Sequence, residues 1–148
     1  MTRKEDAELY FADGFTCSQA VLTAFGKEAG LTEDQCLKVA TAFGGGMARN
    51  QHTCGAVTGA LMAIGLFHGR GMNDPVSEKE LTYEKSNQFM AEFKKIHGSL
   101  VCRELLQGLN MNDPEDLKKI EALGLFQTSC ARYVGDAVEI LERLDKGV

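Results

Sequence analysis

Proline is nearly absent from this chain, with two among 148 residues, and this limits the fold more than any other feature. Proline lacks an amide donor and interrupts helices, so long proline-free runs favour helices over a loop-rich sandwich. Between glycine punctuation marks, apolar residues recur at helical spacing. One stripe carries Cys17, Val21, Ala24 and Phe25, and another Cys36, Val39, Ala40 and Phe43. A third holds Leu81, Phe89, Phe93 and Ile96, and the last runs from Cys130 through Val134, Val138 and Leu141 to Leu144. No segment reads as a strand, and no repeat or linker divides the chain. The sequence predicts an all-α, single-domain bundle of about six to eight helices over residues 1–148.

Start and stop signals place the helices. The first spans about Arg3 to Ala12, and the second starts near Thr16 and ends near Gly30. Thr32 and Gln35 form a capping box for the third, with Leu31 and Cys36 as its hydrophobic staple. It stops at Gly44-Gly45-Gly46, and Met47 to Thr53 reads as a loop. The fourth runs from Cys54 to about His68 and is apolar nearly all round, the mark of a helix buried on most faces. Gly55 and Gly59 on it would admit a close neighbour. Ser77 and Glu80 suggest a second capping box, opening a long helix that ends at Gly98. A short helix is expected from about Ser99 to Gln107. Asp113 and Pro114 fit the N-cap and first position of the next. The last begins near Thr128 or Ser129.

Composition removes several functions. Net charge is −5 with no basic block, which argues against a nucleic-acid surface. The most apolar stretch, Ala56 to Phe67, is well short of the roughly 18 residues that a membrane span needs. The charged start Met1-Thr-Arg-Lys-Glu-Asp carries no secretory signal. The expectation is a cytoplasmic protein that does not span a membrane.

In that compartment structural disulfides are uncommon, so five cysteines call for an account. No CxxC occurs, which argues against a zinc ribbon or a thioredoxin-type motif. Cys17, Cys54, Cys102 and Cys130 each fall in the first turn of an expected helix, on an apolar face. Unpaired amides and the helix dipole favour negative charge there, and the thiolate is the reactive form of cysteine. These four are the candidate catalytic residues. Buried cysteine also serves simply as a small hydrophobe, and Cys36, past its first turn, fits that role. His52, two residues before Cys54, is a candidate base or cation. His68 and His97 lie near helix C-termini, where capping or surface roles are expected.

The four cysteines sit in Phe15-Thr16-Cys17-Ser18-Gln19, Cys54-Gly55-Ala56-Val57-Thr58-Gly59, Val101-Cys102-Arg103-Glu104-Leu105-Leu106 and Ser129-Cys130-Ala131, with Phe43-Gly44-Gly45-Gly46-Met47 before the second. In these segments the chain resembles a family of redox-active bacterial proteins named for a four-cysteine pattern. The family label is also written GCAxxG; this chain reads CGAxxG. The resemblance covers about residues 10 to 140 and implies redox activity at the four cysteines, in proteins associated with transporter genes. Three readings stand. The first is a thiol–disulfide protein acting on a redox partner, with Cys54 as the favoured attacking thiol. The second is a zinc or iron–sulfur site built from Cys17, Cys54, Cys102 and Cys130. The third is a helical adaptor beside a transporter-linked protein, its cysteines merely buried. Four cysteines allow three pairings, and sequence does not choose among them.

Overall fold

A computed structural model describes all 148 residues. It is all-helical: α1 (Arg3–Ala12), α2 (Cys17–Gly26), α3 (Glu33–Ala40), α4 (Gly55–His68), α5 (Val76–His97), α6 (Cys102–Leu105), α7 (Pro114–Ala122) and α8 (Ala131–Leu144). A 3₁₀ turn (Thr41–Phe43) and a glycine turn (Gly44–Met47) follow α3, and a π-helical turn (Phe126–Cys130) precedes α8. The expected all-α bundle is what forms, without strands; a lone antiparallel bridge joins Thr53 to Val101. No helix is long and apolar enough to cross a membrane.

Helix starts follow local chemistry. Thr2 with Glu5, Thr16 with Gln19 and Thr32 with Gln35 each form a complete capping box, in which side chain and backbone satisfy each other's amides. Asp113 caps α7 by accepting from the Asp116 amide, with Pro114 at the first position, as the sequence predicts.

The core forms where α2 meets α1, α3, α4 and α8. Every residue of α2 from Ser18 to Gly26 is buried, so α2 is more enclosed than α4. The reason lies on the facing surface of α4. A Cβ placed on Gly59 would stand 2.8 Å from the Ser18 carbonyl oxygen, and one on Gly55 would stand 3.0 Å from the Ser18 amide. Those two glycines let α2 sink against α4. Ser18 then donates to the Ala40 carbonyl at 2.8 Å, and Gln19 donates to the Leu37 carbonyl at 2.9 Å, which joins α3 to the same core.

Other expectations need correction. The Ser77–Glu80 box does not form: Pro75 is the N-cap of α5 and no side chain bonds there. Burial on α5 rests on Phe89 and Phe93, while Ile96 is 49% exposed; Val39 on α3 is 56% exposed. The second helix ends at Gly26 and not near Gly30. The short helix shrinks to four residues, since Gln107 and Gly108 turn to positive φ. His68 is no simple cap. Its Nε2 contacts the buried Asp145 carboxylate, which Lys85 also approaches. The His97 ring packs against Phe93 and Tyr133, and burial lowers its pKa. Its Nε2 stands 3.0 Å from Asp136 without hydrogen-bond geometry.

Candidate functional site

Cys17, Cys54, Cys102 and Cys130 all line one cavity of about 780 Å³. Each arrives on a different element. Cys17 is the first residue of α2, after its cap Thr16. Cys54 is the N-cap of α4, and Cys102 opens the four-residue α6. Cys130 closes the π-helical turn before α8, and its amide is already bonded to the Leu125 carbonyl at 3.0 Å. Cys130 is therefore not at a free helix start, which corrects one of the four expected placements. The chain has no disulfide; all five cysteines are free thiols. Cys36 is fully buried against Gly26 and does not line the cavity.

Two backbone bonds hold the second and third cysteines together. The Cys54 amide donates to the Leu100 carbonyl at 2.8 Å, and the Cys102 amide donates to the His52 carbonyl at 2.6 Å. His52 acts here through its backbone. Its side chain belongs to an exposed residue and does not line the cavity, so the expected base beside Cys54 is absent from that position. Buried Gln51 extends the tie: its amide side chain donates to the Leu109 carbonyl and accepts from the Met111 amide, both at 2.8 Å. Tyr133, on α8, also lines the cavity and donates to the Leu105 carbonyl at 2.9 Å.

The four thiols differ electrostatically. Burial pushes Cys54 up to about 11, even though the Ala56 and Val57 amides pull the other way. The expected helix-start effect is present at Cys54 and is outweighed by desolvation. Burial and the neighbouring Cys54 and Cys130 push Cys102 up to about 12. Cys17 is raised by its interaction with the adjacent Cys130 thiol, by burial and by the charges of all three other cysteines. Cys130 alone is lowered, because its interaction with the neighbouring Cys17 thiol outweighs the cost of burial. Among the four, ionisation is eased at Cys130 beside Cys17 and opposed at Cys54. No group of three or more His, Cys, Asp or Glu side chains stands close enough together to hold a metal ion.

The opposite wall of the cavity is unusual backbone. Gly45, Gly46, Met47, Ala48 and Arg49 have φ of 65°, 66°, 70°, 54° and 67° in succession, and Gln51 follows at 56°. This is a left-handed turn. A side chain costs about 1–2 kcal/mol per residue in that conformation, so Met47, Ala48 and Arg49 are held there by surrounding bonds. The Gln51 amide reaches the Gly45 carbonyl at 3.0 Å and the His52 amide the Gly46 carbonyl at 2.9 Å. Asn112 donates to the Arg49 carbonyl at 2.7 Å. Within the left-handed stretch Gly46 is the most confined: a Cβ there would stand 2.7 Å from the Cys102 Cβ, the Gln51 Cα and the His52 nitrogen. The triple glycine was legible as a chain turn. The three left-handed residues after it, and the placing of Arg49, Asn112 and Tyr133 at the cavity, carried no local signal.

Comparison with known proteins agrees with the cysteine pattern. The family model described as "Putative redox-active protein (C_GCAxxG_C_C)" matches residues 15–144. A protein of Archaeoglobus fulgidus, named "Uncharacterized protein", is 25% identical over 131 residues, covering 84% of this chain and 80% of its own length. No solved structure matches the chain.

Proposed function

The chain belongs to the C_GCAxxG_C_C family, and from that premise we propose that it is a thiol–disulfide redox protein whose working pair is Cys17 and Cys130. The observation that carries the reading is the meeting of the Cys17 and Cys130 thiols in the shared cavity as a coupled pair. The thiol whose ionisation is eased gives the thiolate, which is the attacking species.

The step balances as follows. The Cys130 thiolate attacks one sulfur of a substrate disulfide. That S–S bond breaks, a mixed disulfide forms, and the first substrate thiolate leaves with the proton given up by Cys17. The Cys17 thiolate then attacks the Cys130 sulfur and releases the second substrate thiolate, which is protonated by solvent. Two protein thiols are oxidised to one disulfide, and one substrate disulfide is reduced to two thiols. Cys54 and Cys102, protonated at neutral pH, complete the thiol wall and follow the first exchange. The cytoplasm, where thiols stay reduced, is the compartment that suits this cycle. A redox partner or a transporter-linked protein would restore the reduced form.

Thiol counting tests the reading. Reduced protein treated with a mild disulfide oxidant should lose two of its five free thiols, and peptide mapping should assign them to Cys17 and Cys130. Five free thiols after treatment, with the fold intact, would refute it. The metal reading, zinc or an iron–sulfur cluster held by all four cysteines, requires their sulfurs to stand closer together than they do here. Metal content and a visible spectrum after anaerobic reconstitution decide that case.

A further inference from the structure

We propose that the thiol cavity selects small anionic disulfides and that Arg49 is the residue that recognises their charge. The inference rests on the thiol–disulfide reading and adds a substrate class to it. Its first support is the make-up of the wall. Among the residues that line the cavity there is no Asp or Glu, and Arg49 is the one charged side chain.

The second support is the state of that side chain. Four other arginines of the chain are engaged, and Arg132, which has no ion-pair or hydrogen-bond partner, does not line the cavity. Arg3 pairs with Glu28 and Glu142, and Arg143 with Glu92. Arg70 and Arg103 donate to the backbone carbonyls of Asp74 and Gly108. The Arg49 guanidinium has no ion-pair or hydrogen-bond partner, so its planar set of donors is available to a carboxylate or sulfonate.

The third support is that the placement is built into the backbone. Arg49 sits at φ 67°. Its amide is bonded to the Gly44 carbonyl at 3.2 Å and its carbonyl accepts from Asn112. Its side-chain stem lies so close to Gly45 that a Cβ there would stand 2.9 Å from the Arg49 Cγ. Strained backbone that persists because its surroundings hold it is concentrated at ligand sites. The cavity volume falls in the range of small-molecule sites, roughly 300–1,000 Å³, and Cys130 is only 9% exposed. A small disulfide that can enter suits this geometry better than a protein disulfide on a rigid surface. Apolar walls from Phe11, Leu106 and Phe126 would enclose its carbon chain.

The experiment follows oxidation of fully reduced protein by three small disulfides: dithiodiglycolate with two carboxylates, hydroxyethyl disulfide with no charge, and cystamine with two ammonium groups. Each rate is divided by that of the same disulfide with free mercaptoethanol, which removes intrinsic reactivity. At low salt the wild type should prefer dithiodiglycolate over cystamine by about tenfold, the scale of local electrostatic steering, and added salt should shrink the gap. Arg49→Gln should abolish the preference, Arg49→Glu should reverse it and Arg49→Lys should retain most of it. Because Arg49 is exposed, the variants should melt with the wild type, and the rates are compared only where they do. Equal normalised rates for all three disulfides, or a preference that survives in Arg49→Gln, would overturn the inference and leave the thiol–disulfide reading standing. If none of the three oxidises the protein, the functional reading itself falls and the inference with it.

Discussion

The cavity has two walls made under opposite rules. On one side, α2 and α4 meet as regular helices. Thr16 and Gln19 cap the first, small residues allow close packing, and Cys17 and Cys54 come to the cavity at two helix starts. On the other side the chain turns left-handed from Gly45 to Arg49, against the steric preference of three of its residues. That wall contributes Arg49 and sits against Cys102. The regular wall is stable because local preference and tertiary packing agree. The strained wall exists because neighbouring bonds override local preference. The difference separates what sets the stability of this fold from what shapes the site.

Substitutions can break the comparison, and the largest effect belongs to Gly46→Ala. It combines positive φ with three contacts at 2.7 Å, and the expected loss is roughly 3 kcal/mol or more, read from urea unfolding. A loss under about 1 kcal/mol would show that the left-handed wall yields easily. Next is pH. The Cys54 thiol is held up to about 11 in the folded chain, above its unfolded value near 9. Its contribution is fully present below pH 9 and is lost as pH rises toward 11. Cys54 alone should account for about 3 kcal/mol of the stability lost over that window, by order of magnitude, with Cys102 adding to the fall, and Cys54→Ala should remove its share.

A smaller effect concerns reactivity. Cys17→Ala removes the thiol coupled to Cys130, so the Cys130 pKa should rise. Iodoacetamide alkylation of Cys130 at pH 7 should slow by about tenfold, while Cys54→Ala should leave that rate within about twofold. The smallest effect gives the sharpest contrast. Ala48→Gly relieves a residue at φ 54° and should stabilise the protein by about 0.5–1 kcal/mol. Ala20→Gly, in the buried middle of α2, should destabilise it by about 1 kcal/mol or more. Equal signs in thermal melts would remove the distinction between the walls.

The two walls also mark what sequence reasoning could reach. The all-α fold, the Thr32–Gln35 box, the Asp113–Pro114 start and the close approach at Gly55 and Gly59 were legible, because each depends on neighbours within one helical turn or on the size of one residue. Helix ends at Gly26 and Leu105 were misplaced, since tertiary contacts decide how far a short helix extends. The four cysteines were legible as a group, and the fold brings all four to one cavity. Their ranking was not legible. Helix-start position pointed to Cys54, yet burial depth and a thiol neighbour from another helix decide ionisation, and both are properties of the assembled fold. Arg49 was invisible because nothing in Met47-Ala48-Arg49 announces left-handed backbone.

The short ladder joining His52–Cys54 to Leu100–Cys102 bears on exchange with solvent. Amides of a four-residue helix ordinarily trade hydrogen for deuterium quickly, because little holds so short an element closed. Here the Cys54 and Cys102 amides each donate across to the other strand of chain, the latter through a bond of 2.6 Å. They can open only when both segments separate. In deuterium oxide these two amides, joined by that of Arg103 at 3.3 Å from the Gln51 carbonyl, should persist with those of α2, long after the amides of Glu104 and Leu105 have exchanged.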